Sequence, residues 1–432
     1  MIGRLRVSRI VALVVGVLGT AAIGAQQIHL GMPTPNTSGV AQTLVAGGDL
    51  VAADEPFFQS LGTNGRACVT CHAPNQGWSL EPTDIQQRFA ATGGLHPLFR
   101  PIDGATSPLA DVSTVAARRD AYALLLARGV IRVGLSVPPS ADFELVDIDD
   151  PYGYASAEEL SLFRRPLPAT NLAFLSSVMW DGRETPGGRS IVADLMLQAN
   201  DATVGHAEAA PIDETTRQRI VDFETRLTTA QTHDRGVGLL SADDAAGGPR
   251  ALAAQPYWPF INSRFDPGSI TTEPFTIFKA WTTAVGPGSA GRQAVARGQR
   301  LFNEGRHAGR LMCSGCHNTP NVGSNSTGAF FDIGVASATR RMPDVPLYTL
   351  RCRTSGATIQ TTDPGRALIT GRCTDIARFK VPALRGLAAR APYFHDGSAA
   401  TLEDVIDHYE QKFGFVFVGT DKADLIAFLR AL

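Results

Sequence analysis

The chain has 432 residues, a formal net charge of −2, 44% hydrophobic and 19% charged residues. That length exceeds one ordinary domain, and 43 glycines with 27 prolines imply many turns between short helices, so two or more compact units are expected. The near-neutral balance becomes more acidic once an arginine-bearing leader is removed, which leaves no basic footprint and excludes a nucleic-acid partner.

At the N-terminus, Arg4, Arg6 and Arg9 precede an apolar run from Ile10 to Ile23, and Ile23-Gly24-Ala25 offers small residues for cleavage before Gln26. Residues 1–25 therefore read as a secretory signal peptide that sends the mature chain to the periplasm. The run is too short to span a bilayer comfortably, and no later stretch is both long and uncharged enough, so no membrane span is expected in the mature form. A retained anchor is the other reading of the leader. No cysteine follows the cleavage point, so lipid attachment there is not indicated.

Four of the six cysteines stand in two copies of CxxCH, Cys68-Val69-Thr70-Cys71-His72 and Cys313-Ser314-Gly315-Cys316-His317. Two thiols at this spacing can add to the two vinyl groups of one porphyrin while the adjacent histidine ligates its iron. Two covalently attached c-type haems are therefore expected, with His72 and His317 as proximal ligands. The alternatives are a thioredoxin-like redox pair or half of a zinc site. Neither needs the trailing histidine, and no strand-helix-strand pattern opens around either CxxC. Export agrees with haem attachment, because thioether formation belongs beyond the plasma membrane.

Between and after these motifs the periodicity predicts helices. Ile220, Phe223 and Leu227 recur at helical spacing after Pro211-Ile212-Asp213, and Ala296 to Phe302 reads as a helix leading into the second haem loop. Leu402, Val405, Ile406 and Tyr409 fall at i, i+3, i+4 and i+7 behind a Thr401/Asp404 cap, and Asp421 to Leu432 reads as a closing helix. The resulting bracket is an N-terminal unit over 26–235, a glycine- and proline-rich linker and packing segment over 236–290, and a C-terminal unit over 291–432. An insertion over about 74–162 carries no recognisable chemistry. Cys352 and Cys373 remain, either as a disulfide closing a loop of about twenty residues, which restricts the unfolded chain by about 3 kcal/mol in the loop-entropy model, or as two buried thiols.

The pairing of both CxxCH motifs with Met179-Trp180-Asp181-Gly182-Arg183 and with Ala391-Pro392-Tyr393-Phe394-His395-Asp396-Gly397-Ser398 resembles the bacterial di-haem cytochrome c peroxidase and MauG superfamily. The resemblance covers most of the mature chain except the insertion. It implies a mainly α protein of two cytochrome c-like haem domains with long loops, the haems facing a shared interface. In such proteins the first haem meets peroxide and the second handles electrons. The resemblance places Trp180 between the haems as an electron relay, against the plainer reading of a core aromatic with a satisfied N–H. It leaves Arg183 either neutralising a haem propionate or forming an ordinary ion pair.

Peroxide cleavage needs a proton taken from one oxygen and delivered to the other. Relatives supply a glutamine and, ten positions later, a glutamate, a separation matched here by Gln198 and Glu208. Several residues beyond the usual spacing separate Trp180 from Gln198, so His206 is the alternative acid–base residue. In the superfamily the second haem's axial ligand follows the HDG histidine by fourteen residues, as methionine in peroxidases and tyrosine in MauG. Tyr409 occupies that position; Met342 or no side chain are the alternatives. Relatives also bind calcium through an asparagine and two carbonyls, but the corresponding positions are Arg165, Arg390 and Pro392, and a guanidinium cannot ligate a cation, so bound calcium is doubtful.

Three functions follow. The first is a periplasmic di-haem peroxidase-superfamily enzyme that reduces hydrogen peroxide with electrons from a donor, a small cytochrome or another redox protein. The second is a MauG-type enzyme that oxidises side chains of a partner protein substrate through surface tryptophans such as Trp258 or Trp281. The third is a di-haem electron carrier without peroxide chemistry.

Overall fold

The computed structural model describes residues 27–48, 50–52, 54–187, 189–305 and 313–432, so the expected leader lies outside the described residues. Helices make up 34% and strands 15% of the chain. The helical expectation therefore stands in its coarse form, while the strands are an addition the sequence reading lacked. They form small antiparallel sheets whose partners lie far apart in sequence. Gly39–Val45 pairs with Leu227–Asp234, Ile131–Leu135 with Leu160–Arg164, and Phe143–Asp149 with Leu347–Cys352. The last pairing ties the insertion to the C-terminal half. The disulfide Cys352–Cys373, with Cα atoms 5.8 Å apart, closes onto the end of the same sheet.

The expected helices are present. Asp213 caps Glu214–Thr225, and Leu227 already begins the next strand. Ser289–Glu304 precedes the second motif, Leu402–Phe413 opens with a Thr401/Asp404 capping box, and Asp421–Arg430 closes the chain. The first and last of these three cross so tightly that a Cβ on Gly298 would sit 2.0 Å from the Asp424 carbonyl oxygen, which admits only glycine there.

Apolar cores form on both sides of the two CxxCH loops. One joins Phe57, Trp78, Leu195, Ile220 and Phe223. Another joins Phe275, Phe278, Trp281, Phe302, Leu425 and Phe428, so the 236–290 segment, expected partly as linker, supplies fully buried aromatic packing. The insertion has a core of its own around Ile85, Phe89, Phe99, Tyr122 and Leu125, and Cys71 packs against it.

The halves are pinned by two consecutive arginines where the strand Leu160–Arg164 ends. Arg164 is buried and donates to Asp181 at 2.5 Å and to both oxygens of Asp363 at 2.7 and 2.9 Å. Arg165 turns the other way and donates to the carbonyls of Leu80 (2.7 Å), Arg128 (2.8 Å) and Ala391 (3.5 Å), while its backbone N–H reaches the His395 carbonyl at 2.6 Å. Removing one member of a buried ion network strands the others, at about 3–5 kcal/mol. Arg164→Leu is therefore expected to lower unfolding free energy by about that amount, measured by urea denaturation, whereas exposed Arg351→Ala should change it little.

Candidate active site: two cavities with one wall

Two large cavities lie side by side, with 1470 and 1490 Å³ of atom-free space. Cys313, Cys316 and His317 line the first, and Cys68, Cys71 and His72 line the second. Both are walled mainly by apolar side chains. Arg165, Leu167, Trp180, Lys380 and Pro382 line both, so one thin partition separates the two motifs.

The histidines are set to ligate. His72 Nδ1 faces the Trp78 carbonyl at 3.3 Å and His317 Nδ1 faces the Gly323 carbonyl at 2.5 Å. A carbonyl accepts only from an N–H, which assigns the proton to Nδ1 and leaves each Nε2 lone pair free. Burial pulls both imidazoles down to about 4, so they are neutral near pH 7. The four motif cysteines form no disulfide. Burial pushes Cys71 up to about 11 and Cys313 to about 12, and raises Cys68 and Cys316 as well. Redox-active CxxC pairs need lowered thiols, so this environment opposes the thioredoxin-like reading. No group of three or more His, Cys, Asp or Glu that could hold a metal occurs among the described residues. Neutral histidine, half-buried thiols and a mainly apolar lining fit a covalently attached haem in each place.

The helix Ile191–Ala207 builds one side of the His72 cavity. Leu195, Gln198, Ala199, Ala202, Thr203 and His206 all line it, a stripe at i, i+3, i+4, i+7, i+8 and i+11. Gln198 and His206 are thus brought together. Glu208 is not: it is the exposed cap beyond the helix end, at φ 54° and ψ 47°, and lines neither cavity. The ten-residue separation from Gln198 holds in sequence, but the left-handed cap turns the chain away.

His206 Nδ1 hydrogen-bonds Asp103 at 2.6 Å, and Arg66 donates to the same carboxylate at 2.6 Å. All three line the cavity. Burial pushes the Asp103 carboxyl up, but the Arg66 charge and the His206 hydrogen bond outweigh it and hold the group below its usual range. Asp103 belongs to the insertion, which the sequence reading left without chemistry. Only a contact between residues 103 positions apart reveals it. Glu224 was also missed; it lines this cavity with Oε2 unpartnered among the described residues.

Trp180 is the one aromatic on the shared partition, and its Nε1 donates to the Arg165 carbonyl at 2.8 Å. Its loop is held by Asp181, which accepts from Arg164 and Arg183, and by Lys380, whose backbone N–H reaches the Trp180 carbonyl at 2.8 Å. Arg183 lines the His72 cavity while paired to Asp181. In the other cavity, Tyr409 joins Leu402, Val405 and Ile406 on the lining, with no hydrogen bond among the described residues. Burial, then nearby Cys313 and Cys316, push its phenol well above the ordinary value. Met342 packs with Leu124, Phe163 and Val345 and lines neither cavity. His395 lines the same cavity, stacked on Phe379 at 4.1 Å, with Nδ1 unpartnered among the described residues. Trp281, expected on the surface, is fully buried with Nε1 on the Ala242 carbonyl at 2.9 Å, whereas Trp258 is 43% exposed.

These features define a class, a chain built around two CxxCH-lined cavities that share one wall. No protein-family model matches the chain. The methylamine utilization protein MauG of Methylophilus methylotrophus is 24% identical over 390 residues, covering 87% of this chain and 79% of its own. The cytochrome-c peroxidase IdrP1 of Pseudomonas sp. (strain SCT) is 28% identical over 156 residues, 32% of this chain, and the match spans only 39% of the peroxidase's length. A solved MauG-like protein associated with microbial copper homeostasis aligns with a TM-score of 0.42 at 16% identity, covering 88% of this chain and 86% of that one. The curated relatives are MauG proteins and cytochrome-c peroxidases, and this similarity supports the MauG and di-haem cytochrome c peroxidase superfamily, whose members carry c-type haems.

Glu224 gives a pH test. Burial pushes its carboxyl from 4.5 up to about 8, so the folded chain keeps a proton that the unfolded chain loses above about 4.5. Stability therefore falls as pH rises between those values, by at most about 1.4 kcal/mol per unit. Glu224→Gln is expected to match the parent near pH 4.5 and exceed it increasingly toward pH 8 in denaturant midpoints taken across that window.

Proposed function

We propose that the chain is a periplasmic di-haem c-type oxidoreductase that reduces hydrogen peroxide with electrons from a donor protein, a small cytochrome or another redox protein. The Asp103–His206 pair on the wall of the His72 cavity carries this reading. Two haems, held by Cys68, Cys71 and His72 and by Cys313, Cys316 and His317, would supply the one-electron iron chemistry. Asp103 fixes the His206 proton on Nδ1, which leaves Nε2 to take a proton from one peroxide oxygen and return it to the other. Arg66 keeps Asp103 ionised, and Gln198, two turns earlier on the same helix face, offers an amide to orient the substrate. The two electrons and two protons that turn one peroxide into two waters then come from the donor and from solvent. Trp180 spans the partition as the relay between cavities, and the units bracketed as 26–235 and 291–432 hold one haem each. Calcium has no part in the proposal, because Arg165 already brings a positive charge to the Leu80, Arg128 and Ala391 carbonyls.

A specific observation favours a second reading, MauG-type oxidation of a partner protein. Tyr409, not Met342, lines the His317 cavity with an uncommitted hydroxyl. A buried phenol stays protonated among protein groups alone, but a bound metal cation reverses that preference. Phenolate ligation lowers a haem potential, whereas methionine raises it. Exposed Trp258 is the corresponding surface site.

Two experiments test these readings. His206→Ala should slow the reaction of the oxidised protein with one equivalent of peroxide by about 10²–10⁴-fold in stopped flow, with Glu208→Ala unchanged; equal rates for all three proteins would refute the role of His206. Magnetic circular dichroism should show no histidine–methionine band in the reduced protein, and Tyr409→Phe should alter the oxidised spectrum of one haem only. A methionine band insensitive to that substitution would remove Tyr409 as ligand.

A further inference from the structure

The partition between the cavities carries positive charge that forms no ion pair among the described residues. Lys380 lines both cavities at 6% exposure, and its ammonium has no hydrogen bond or ion pair among the described residues. Arg165, which also lines both, and Arg390, which lines the His317 cavity, are buried and donate only to carbonyls, in the second case those of Gly386, Ala383 and Arg385. Neither forms an ion pair among the described residues; Glu81 is the carboxylate that acts on Arg165 from a distance. Carbonyl oxygens satisfy N–H groups without cancelling their charge. Of the buried cations away from the partition, Arg66 pairs with Asp103 and Arg164 with Asp181 and Asp363, while Arg385 donates to three main-chain oxygens; Lys380 has neither kind of partner among the described residues.

That contrast marks the partition as a place for anions that the chain does not itself supply. Each haem brings two propionate carboxylates on one edge of its ring. We propose that Lys380 is a shared anchor for propionates of both haems, with Arg165 and Arg390 completing a cationic wall that sets the two potentials together. The inference rests on the haem reading above. Its placement explains why Lys380 is held at two points, by its own N–H on the Trp180 carbonyl and by Phe379 stacked on His395 beside it. A buried charge is worth most where its position is fixed.

The test uses the full-length holoprotein with Lys380→Met and Lys380→Arg, and with Lys380→Gln as a neutral, hydrogen-bonding substitute should the apolar variant fail to fold. Haem content is counted by pyridine haemochrome, potentials by spectroelectrochemical titration, and stability by thermal unfolding. A wild-type protein without two haems per chain would defeat the haem reading itself. With two haems retained, loss of the ammonium should move both midpoint potentials negative, since a nearby positive charge favours reduction, and should lower the melting temperature. Lys380→Arg should return both potentials toward wild type. Unchanged potentials, a shift at one haem only, or a higher melting temperature in the neutral variants would each overturn the shared anchor, the last because removing an unpaired buried charge stabilises.

Discussion

Two successive side chains at the end of one strand determine how this molecule is put together. Successive strand residues project to opposite faces, so Arg164 and Arg165 necessarily diverge. Arg164 collects Asp181 from one half and Asp363 from the other into a buried network. Arg165 collects carbonyls from residues 80, 128 and 391. A guanidinium has five donors in a rigid plane, and only that geometry can satisfy several distant acceptors at once while remaining charged. With either arginine gone, the partition between the cavities loses its frame, because Trp180 is adjacent to Asp181 and donates to the Arg165 carbonyl.

The same frame explains why the insertion matters. Its strand Phe143–Asp149 pairs with Leu347–Cys352, and its loop brings Asp103 against His206 and Arg66. A histidine on a helix face can rotate about two torsions; one short hydrogen bond to a carboxylate that is itself ion-paired removes that freedom. The cavity is otherwise apolar, so the few polar groups that reach it set its chemistry.

Much of the site was legible in the residues, and the reason is locality. The CxxCH loops, the Thr401 capping box and the stripe ending at Tyr409 are patterns within a few turns of chain, and each appears in the fold where spacing put it. Trp180 and Gln198, carried over by the resemblance, line the cavities, Trp180 both and Gln198 that of His72. What could not be read was long-range or conformational. Two of the strand pairs join segments about two hundred positions apart, and Asp103 finds His206 across a hundred. Glu208 kept its separation from Gln198 but lost its direction, because the residue sits past the helix end in a left-handed turn. Trp281 looked like any tryptophan in a glycine-rich segment until packing against Phe278 and Phe428's cluster buried it. Lys380 left a trace that went unused, a lone cation in the run Phe379-Lys380-Val381-Pro382.

The two CxxCH motifs share their cysteines and histidine, yet the cavities they line are chemically unequal. Around His72 stand an acid–base pair, an amide and a neutral buried acid, groups suited to moving protons on a small polar substrate. Around His317 stand Tyr409, Phe302, Phe394 and Phe413, a lining richer in aromatic rings. The inequality does not come from the motifs. It comes from what the helices Ile191–Ala207 and Leu402–Phe413 present to them, and both helices bring their stripe to the cavity by the same 3.6-residue period. A partition that is thin, charged and aromatic then makes the two environments interdependent: a change of charge in either cavity is felt at Lys380 and Arg165, which belong to both.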